Sequence, residues 1–172
     1  MEKPLTLHLL PAFKKGNKMA NSKILVIMGS KSDQLIMSKG TEILEKFKIP
    51  YQMEICSAHR NPEKTKNLAE SAEKKGIKVI IAGAGMAAHL PGVIASYTNL
   101  PVIGVPLNAS SLSGMDSLFS MVQMPSGVPV ATMSIGEAGA KNAAILAIQI
   151  LALSDEKLKK RLEKFKQDLA EK

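Results

Sequence analysis

The sequence predicts an α/β fold, a three-layer αβα sandwich built on a central parallel sheet. Short, nearly continuous apolar runs recur along the chain, the look of strands buried on both faces. The stretches between them carry apolar residues at helical spacing. Strand and helix alternate throughout, an order that closes most simply as parallel strands joined by right-handed crossovers.

The first strand is read at Lys23 to Met28, an apolar run closed by Gly29. A helix is expected over Asp33 to Phe47, where Ile36, Ile43, Leu44 and Phe47 recur at helical spacing and Pro50 marks the break. Tyr51 to Cys56 reads as the second strand. Asn61 is a good N-cap, and Pro62 a good first helical residue because proline lacks an N–H that is unsatisfied there anyway. A second helix is therefore expected over Pro62 to Lys75, with Leu68, Ala69 and Ala72 turned inward and Gly76 ending it. Lys78 to Ala82 is the third strand, followed beyond Gly83-Ala84-Gly85 by a helix around Pro91 to Tyr97. Val102 to Val105 is the fourth strand, a helix falls within Met115 to Val122, and Val128 to Ser134 is the fifth strand. Glu137 to Leu153 is a helix apolar nearly all round. The tail opens with Ser154 as N-cap and carries a stripe of Leu158, Leu162, Phe165 and Leu169 that fits a surface helix. The order is flavodoxin- or Rossmann-like. Residues 23–172 read as one domain with a C-terminal helix, and residues 1–22 as a disordered N-terminal extension in which Met19 is a candidate start.

A chain of 172 residues with 45% hydrophobic content is long enough for one domain with a real core and too short for two ordinary ones. The formal charge of +8 is uneven: residues 1–22 carry four lysines against Glu2, and residues 154–172 carry seven basic against five acidic groups. With four Phe, two Tyr and no Trp there is no stacking platform for bases, so nucleic acid is not expected as a partner. A phosphorylated small molecule suits the charge equally well. The single cysteine, Cys56, excludes an internal disulfide and fits a reducing, cytoplasmic setting. At the end of an apolar strand it reads as a small buried hydrophobe rather than a nucleophile. No stretch is suited to span a membrane, and the opening segment lacks the apolar core of a secretory signal. Between Val79 and Gly136 the only formally charged residue is Asp116, too few charges for 58 residues on the outside of a soluble monomer. That scarcity and the all-round apolar helix from Glu137 predict burial against other copies of the chain, the alternative being a single central core helix.

Three loops carry the candidate chemistry. The first, Gly29-Ser30-Lys31-Ser32-Asp33, joins a buried strand to a helix start, where free backbone N–H groups and the positive dipole end favour an anion. It lacks the ending and spacing of a P-loop. Asp33 reads either as a favourable first-turn acid or as an acceptor for sugar hydroxyls. In the second, Ser57-Ala58-His59-Arg60, a histidine able to carry a proton leaves the sheet beside an arginine able to hold a phosphate. The third, Gly83 to Gly92, formally contains Gly-x-Gly-x-x-Ala, but it follows the third strand and lacks the downstream acid of a dinucleotide site. Its glycines are read as letting a flat ligand lie close to the backbone, and His89 as a second proton-capable group. No Cys, His, Asp and Glu cluster has metal-ligand spacing.

Taken together, Met28-Gly29-Ser30-Lys31-Ser32-Asp33, Ser57-Ala58-His59-Arg60, Ala82-Gly83-Ala84-Gly85, Ala87-Ala88-His89-Leu90-Pro91-Gly92, Asp116-Ser117-Leu118, Val122-Gln123-Met124-Pro125 and Ile135-Gly136 with Ala138-Gly139-Ala140 strongly resemble the PurE family of purine (IMP) biosynthesis, over about Lys23 to Leu153. The resemblance implies a 5-(carboxyamino)imidazole ribonucleotide mutase, an isomerase that moves a carboxylate from the exocyclic amine to carbon 4 of the imidazole without metal, ATP or other cofactor. It implies His59 as general acid and base, Ser30 and Ser32 with Arg60 on the phosphate, Asp33 on the ribose, and Ser57, Gly85, His89 and Leu90 as further substrate-binding residues, the last three lining a CO2 pocket. It also implies a homo-octamer. Gln34 stands where the family commonly has Trp, and Met86 where a second small residue is common. Two other activities fit the same residues: a related carboxylase that takes free CO2, and a non-catalytic nucleotide-binding module.

Overall fold

The structure is a computed structural model and describes residues 21–171. The expected N-terminal extension, with Met19, lies outside the described residues apart from its last two positions. The strands are β1 (Ile24–Met28), β2 (Tyr51–Ile55), β3 (Val79–Gly85), β4 (Val102–Leu107) and β5 (Ala131–Thr132). The helices are α1 (Gln34–Lys46), α2 (Pro62–Ala72), α3 (Leu90–Ser96), α4 (Met115–Val122), α5 (Glu137–Ala152) and α6 (Glu156–Ala170). All strand pairs are parallel, in the order β2-β1-β3-β4-β5. The chain therefore winds first to β2 and then back across β1 to β3. At such a switch point the loops on either side diverge and leave a crevice at the carboxyl ends of the strands.

Strand alternation divides the core into two layers. Ile24, Val26 and Met28 face Met37 and Leu44 of α1 and Ala143 and Ala147 of α5 in one buried cluster. Leu25 and Ile27 face the other way, into a cluster with Ala69 of α2, Ile94 of α3 and Met121 of α4. Helices thus cover both sheet faces, which is why the strands read as unbroken apolar runs.

The boundaries differ from expectation in instructive places. β3 runs on through Gly83-Ala84-Gly85, and β4 runs on past Pro106 to Leu107. β5 shrinks to two residues at the sheet edge, since Pro129 lacks the N–H a ladder needs. The last helix is capped by Asp155, whose Oδ1 accepts from Lys157 and Leu158 N–H at 3.0 Å each. Ser154 instead donates its hydroxyl to the Leu151 carbonyl, closing α5. Leu158 and Leu162 are buried and Phe165 packs behind them, while Leu169 at the end of the stripe is exposed.

Helix α5 is covered within the chain: α1 lies beside it, β3 and β4 beneath it, and α6 across it. No isoleucine or leucine of α5 is exposed. Within the chain Ile148 is buried, while Ile145, Leu146, Ile150 and Leu151 stay half-buried. The unmet apolar demand falls on α4, where Met115, Phe119 and Val122 project outward at helical spacing with Leu112 just before them.

Candidate active site

The site is built from the loops after β1, β2 and β3, which the strand order brings to one sheet edge. The first begins at Ser30, whose extended backbone caps a short 3-10 turn at Lys31–Asp33 that leads into α1. The Ser30 side chain accepts from the Ser32 N–H at 3.3 Å, and the Ser32 hydroxyl donates to it at 2.9 Å. Asp33 Oδ2 accepts from the Ser30 N–H at 2.9 Å and Oδ1 from the Ser32 hydroxyl at 3.4 Å. Asp33 is therefore a structural acid first, completing a capping box that fixes both serines. It is only 7% exposed. Burial pushes its carboxyl above the usual range, and hydrogen bonds from Ser30 and Ser32 and the Arg60 charge oppose that.

The second loop is short and braced. Asn61 N–H donates to the Ser57 carbonyl at 2.8 Å, and Arg60 N–H to the Ser57 hydroxyl at 3.3 Å. Asn61 caps α2 by accepting from the Lys64 N–H at 3.2 Å, with Pro62 behind it as expected. The Arg60 guanidinium crosses to the first loop and donates to the Gly29 carbonyl at 3.0 Å, and no described carboxylate lies within ion-pair distance of it. Cys56 behind them is buried, its Sγ 3.2 Å from the Thr65 hydroxyl, in keeping with the structural reading.

The third loop turns sharply after β3. Met86 and Ala88 both adopt left-handed backbone, with φ of 57° and 45°, and Ala88 N–H closes the turn on the Gly85 carbonyl at 3.1 Å. This turn presents His89 at the head of α3. His89 Nδ1 lies 2.9 Å from His59 Nε2, with the two rings edge to face. A hydrogen bond between these nitrogens requires one to carry the proton and the other a lone pair, so the pair accommodates one proton on the line between the rings.

A cavity of about 550 Å3 lies among the three loops. Ser30, Ser32, Asp33, Ser57, His59, Arg60, Gly85, His89 and Leu90 all line it. Ala109 lines it as well and had no signal in the sequence: it follows a β4 longer than expected, at the same edge. One expectation is corrected. A Cβ on Gly83 meets the Met37 sulfur at 2.4 Å, and one on Gly85 meets the Ala109 Cβ at 2.5 Å. Neighbouring protein groups, rather than a flat ligand, fill the space of these glycines. A larger hollow of about 980 Å3 elsewhere on the molecule has Glu70 and Glu73 as its only charged lining and contains no histidine. Among the described residues, no three His, Cys, Asp or Glu side chains converge as a metal site.

The sequence profile of the family described as AIR carboxylase matches residues 23–172, nearly the whole chain. The chain belongs to the AIR carboxylase family. Among curated members, the N5-carboxyaminoimidazole ribonucleotide mutase of Haemophilus influenzae is 56% identical over 147 residues, covering 86% of this chain and 90% of the relative. That of Saccharolobus solfataricus is 56% identical over 147 residues, covering 86% and 92%. That of Escherichia coli K12 is 55% identical over 141 residues, covering 82% and 83%. Among solved structures, Treponema denticola PurE superposes with a TM-score of 0.77 at 28% identity over 86% of this chain and 91% of that one. The resemblance read from the loop motifs is thus membership. Of the two departures noted from the family's usual residues, Gln34 opens α1, while Met86 stands at the cavity rim, 61% exposed and in left-handed backbone.

Proposed function

We propose that this member of the family is an N5-carboxyaminoimidazole ribonucleotide mutase, an isomerase of purine biosynthesis. The observation that carries the reading is the His59–His89 pair inside a cavity that serine hydroxyls, Asp33 and Arg60 also line. The pair can move a proton, and the other groups can hold a phosphorylated sugar. Relatives sharing more than half of their aligned residues carry the mutase name.

In the proposed course, His59 gives a proton to the exocyclic nitrogen as its bond to the carboxylate carbon breaks, releasing CO2 and aminoimidazole ribonucleotide in place. Ring carbon 4 then attacks the retained CO2, and His59 takes the proton that carbon 4 loses. One N–C bond is exchanged for one C–C bond, and the histidine ends as it began. Retention matters because a trapped CO2 reacts as an intramolecular partner, which replaces a dilute encounter. His89, Gly85 and Leu90 wall the CO2 end, Ser57 braces the loop, Ser30, Ser32 and Arg60 take the phosphate, and Asp33 takes ribose hydroxyls. A cytoplasmic setting and self-association, as an octamer by likeness to the family, complete the proposal. The outward apolar face of α4 supports self-association.

The test follows the imidazole's ultraviolet absorbance when purified protein meets the N-carboxylated ribonucleotide without ATP, metal or bicarbonate. The mutase reading expects turnover, and His59→Asn is expected to lower kcat at least about 100-fold, the usual worth of a positioned acid and base. Full activity in that variant ends the mechanism. A rate that depends on added bicarbonate points instead to the carboxylase.

A further inference from the structure

The main cavity has a charge problem if it alone takes the proposed substrate. Of its lining residues, only Asp33 and Arg60 carry formal charge apart from the histidines, and they cancel. A phosphate monoester near neutral pH brings about −1.5 to −2, and the substrate's carboxylate adds to it. Burying that much charge without cations is expensive.

A second cavity, of about 410 Å3, adjoins the first and shares Ser30, Ser57 and Arg60 with it. Its charged lining is Lys31, Arg60 and Lys64, with no acid among the lining residues. Lys64 sits in the first turn of α2. Its ammonium donates to the Ile55 carbonyl at 3.3 Å and pairs with Glu54 at 3.4 Å. Glu54 itself lies behind, held by the Gln52 side chain at 3.0 Å. Both members of the pair keep solvent access, at 45% and 29%. An exposed pair of this kind is worth little, so a phosphate nearby can draw the ammonium away at small cost.

We infer that the cavity on the far side of Arg60 completes phosphate recognition, and that Lys64, which pairs with Glu54, is a specificity-determining residue for phosphorylated ligands. The phosphate straddles the shared wall of Ser30, Ser57 and Arg60, leaving the ribose and imidazole to the larger chamber. Lys31 and Lys64 supply the positive charge that the larger chamber lacks. Lys64 lines the second cavity and not the larger chamber that holds the histidine pair, so its effect falls on binding. The assignment rests on the mutase reading for the natural substrate but not for the class of ligand.

The experiment compares wild type, Lys64→Met, Lys64→Arg and Glu54→Gln in two assays. In the mutase assay, Lys64→Met is expected to raise KM about three- to tenfold with kcat within about twofold, Lys64→Arg to restore KM, and Glu54→Gln to lower it. Titration calorimetry with ribose 5-phosphate, and with ribose as control, gives a readout independent of turnover. Lys64→Met is expected to weaken ribose 5-phosphate selectively, and more at low than at high salt. Thermal melts check that loss of the Ile55 tether has not unfolded the variant. An unchanged KM and an unchanged ribose 5-phosphate affinity in folded Lys64→Met overturn the inference, as does a wild type with no preference for the phosphorylated sugar. A wild type without turnover that still shows the Lys64-dependent preference removes the mutase reading and leaves the phosphate site standing.

Discussion

Asp33 and His89 show how single side chains serve structure and chemistry together. Because burial raises the Asp33 carboxyl, the folded chain holds that proton more tightly than the unfolded chain does. Stability therefore falls as pH rises from the ordinary carboxylate pKa through the raised one, and the ionised form is held at a cost. Asp33→Asn keeps an acceptor for the Ser30 N–H and removes the charge. Its melting temperature at pH 7 is expected to match or exceed wild type, the difference closing as acid protonates Asp33, while KM rises about tenfold or more through the lost charged acceptor. A variant that melts several degrees lower with KM untouched makes Asp33 a cap and nothing else. His89→Ala leaves His59 Nε2 without its partner at 2.9 Å. One such bond is worth about 1 kcal/mol, so kcat is expected to drop several-fold, far less than for His59→Asn. Equal losses in the two variants contradict the assignment of the proton to His59 alone. His59 and Arg60 were legible because a strand end, an N-cap and a proline bracket them. Their hydrogen bonds were not, because the partners, His89 and Gly29, stand about thirty positions away in sequence and meet only through strand order.

Among the elements, the α1–α5 contact is set by backbone approach rather than by large side chains. A Cβ on Gly40 falls 2.7 Å from the Ala140 carbonyl oxygen, and one on Gly139 falls 1.7 Å from that of Ser134. Neither obstacle is a flexible side-chain end that can swing aside. Gly40→Ala is expected to cost about 1–3 kcal/mol in urea unfolding, as overpacking does, and Gly139→Ala more, since the turn entering α5 must move. Wild-type stability in both variants contradicts this packing. The glycines that matter most to the scaffold thus lie in helices, where sequence reading treats glycine as a mild cost to be tolerated. The same kind of blindness explains the strand ends. Apolar runs located all five strands, yet Gly83-Ala84-Gly85 and Pro106 look like breakers and hid the continuations of β3 and β4. Those continuations are what carry Gly85 and Ala109 up to the cavity. Hydrophobic pattern locates an element, but its ends are decided by neighbours that the pattern does not contain.

For the whole molecule, the scarcity of charge between Val79 and Gly136 and the burial of apolar surface point to different places. Helix α5 was read as a face for another copy or as a central core helix, and within the chain α1 and α6 pack against it. Helix α4 keeps Met121 in the core while Met115, Phe119 and Val122 face outward, 44%, 57% and 54% exposed, on a helix whose one charge is Asp116. One Asp116 carboxylate oxygen is buried without a hydrogen-bond partner among the described residues. An apolar helix face of this kind is incomplete as a solvent surface. A second copy laid against α4 covers that face, and in a closed symmetric assembly every copy gains at once. Phe119→Glu is the sharpest probe, because it deletes about 1.5–3 kcal/mol of apolar burial per site and places a carboxylate in the contact. Light scattering is expected to give a smaller mass for Phe119→Glu than for wild type, with the difference growing on dilution. Leu169→Glu, an equally exposed apolar position among the charges of α6, is expected to leave the mass alone. If wild type already scatters as a monomer, or if both variants behave alike, the outward face of α4 is not where the copies meet.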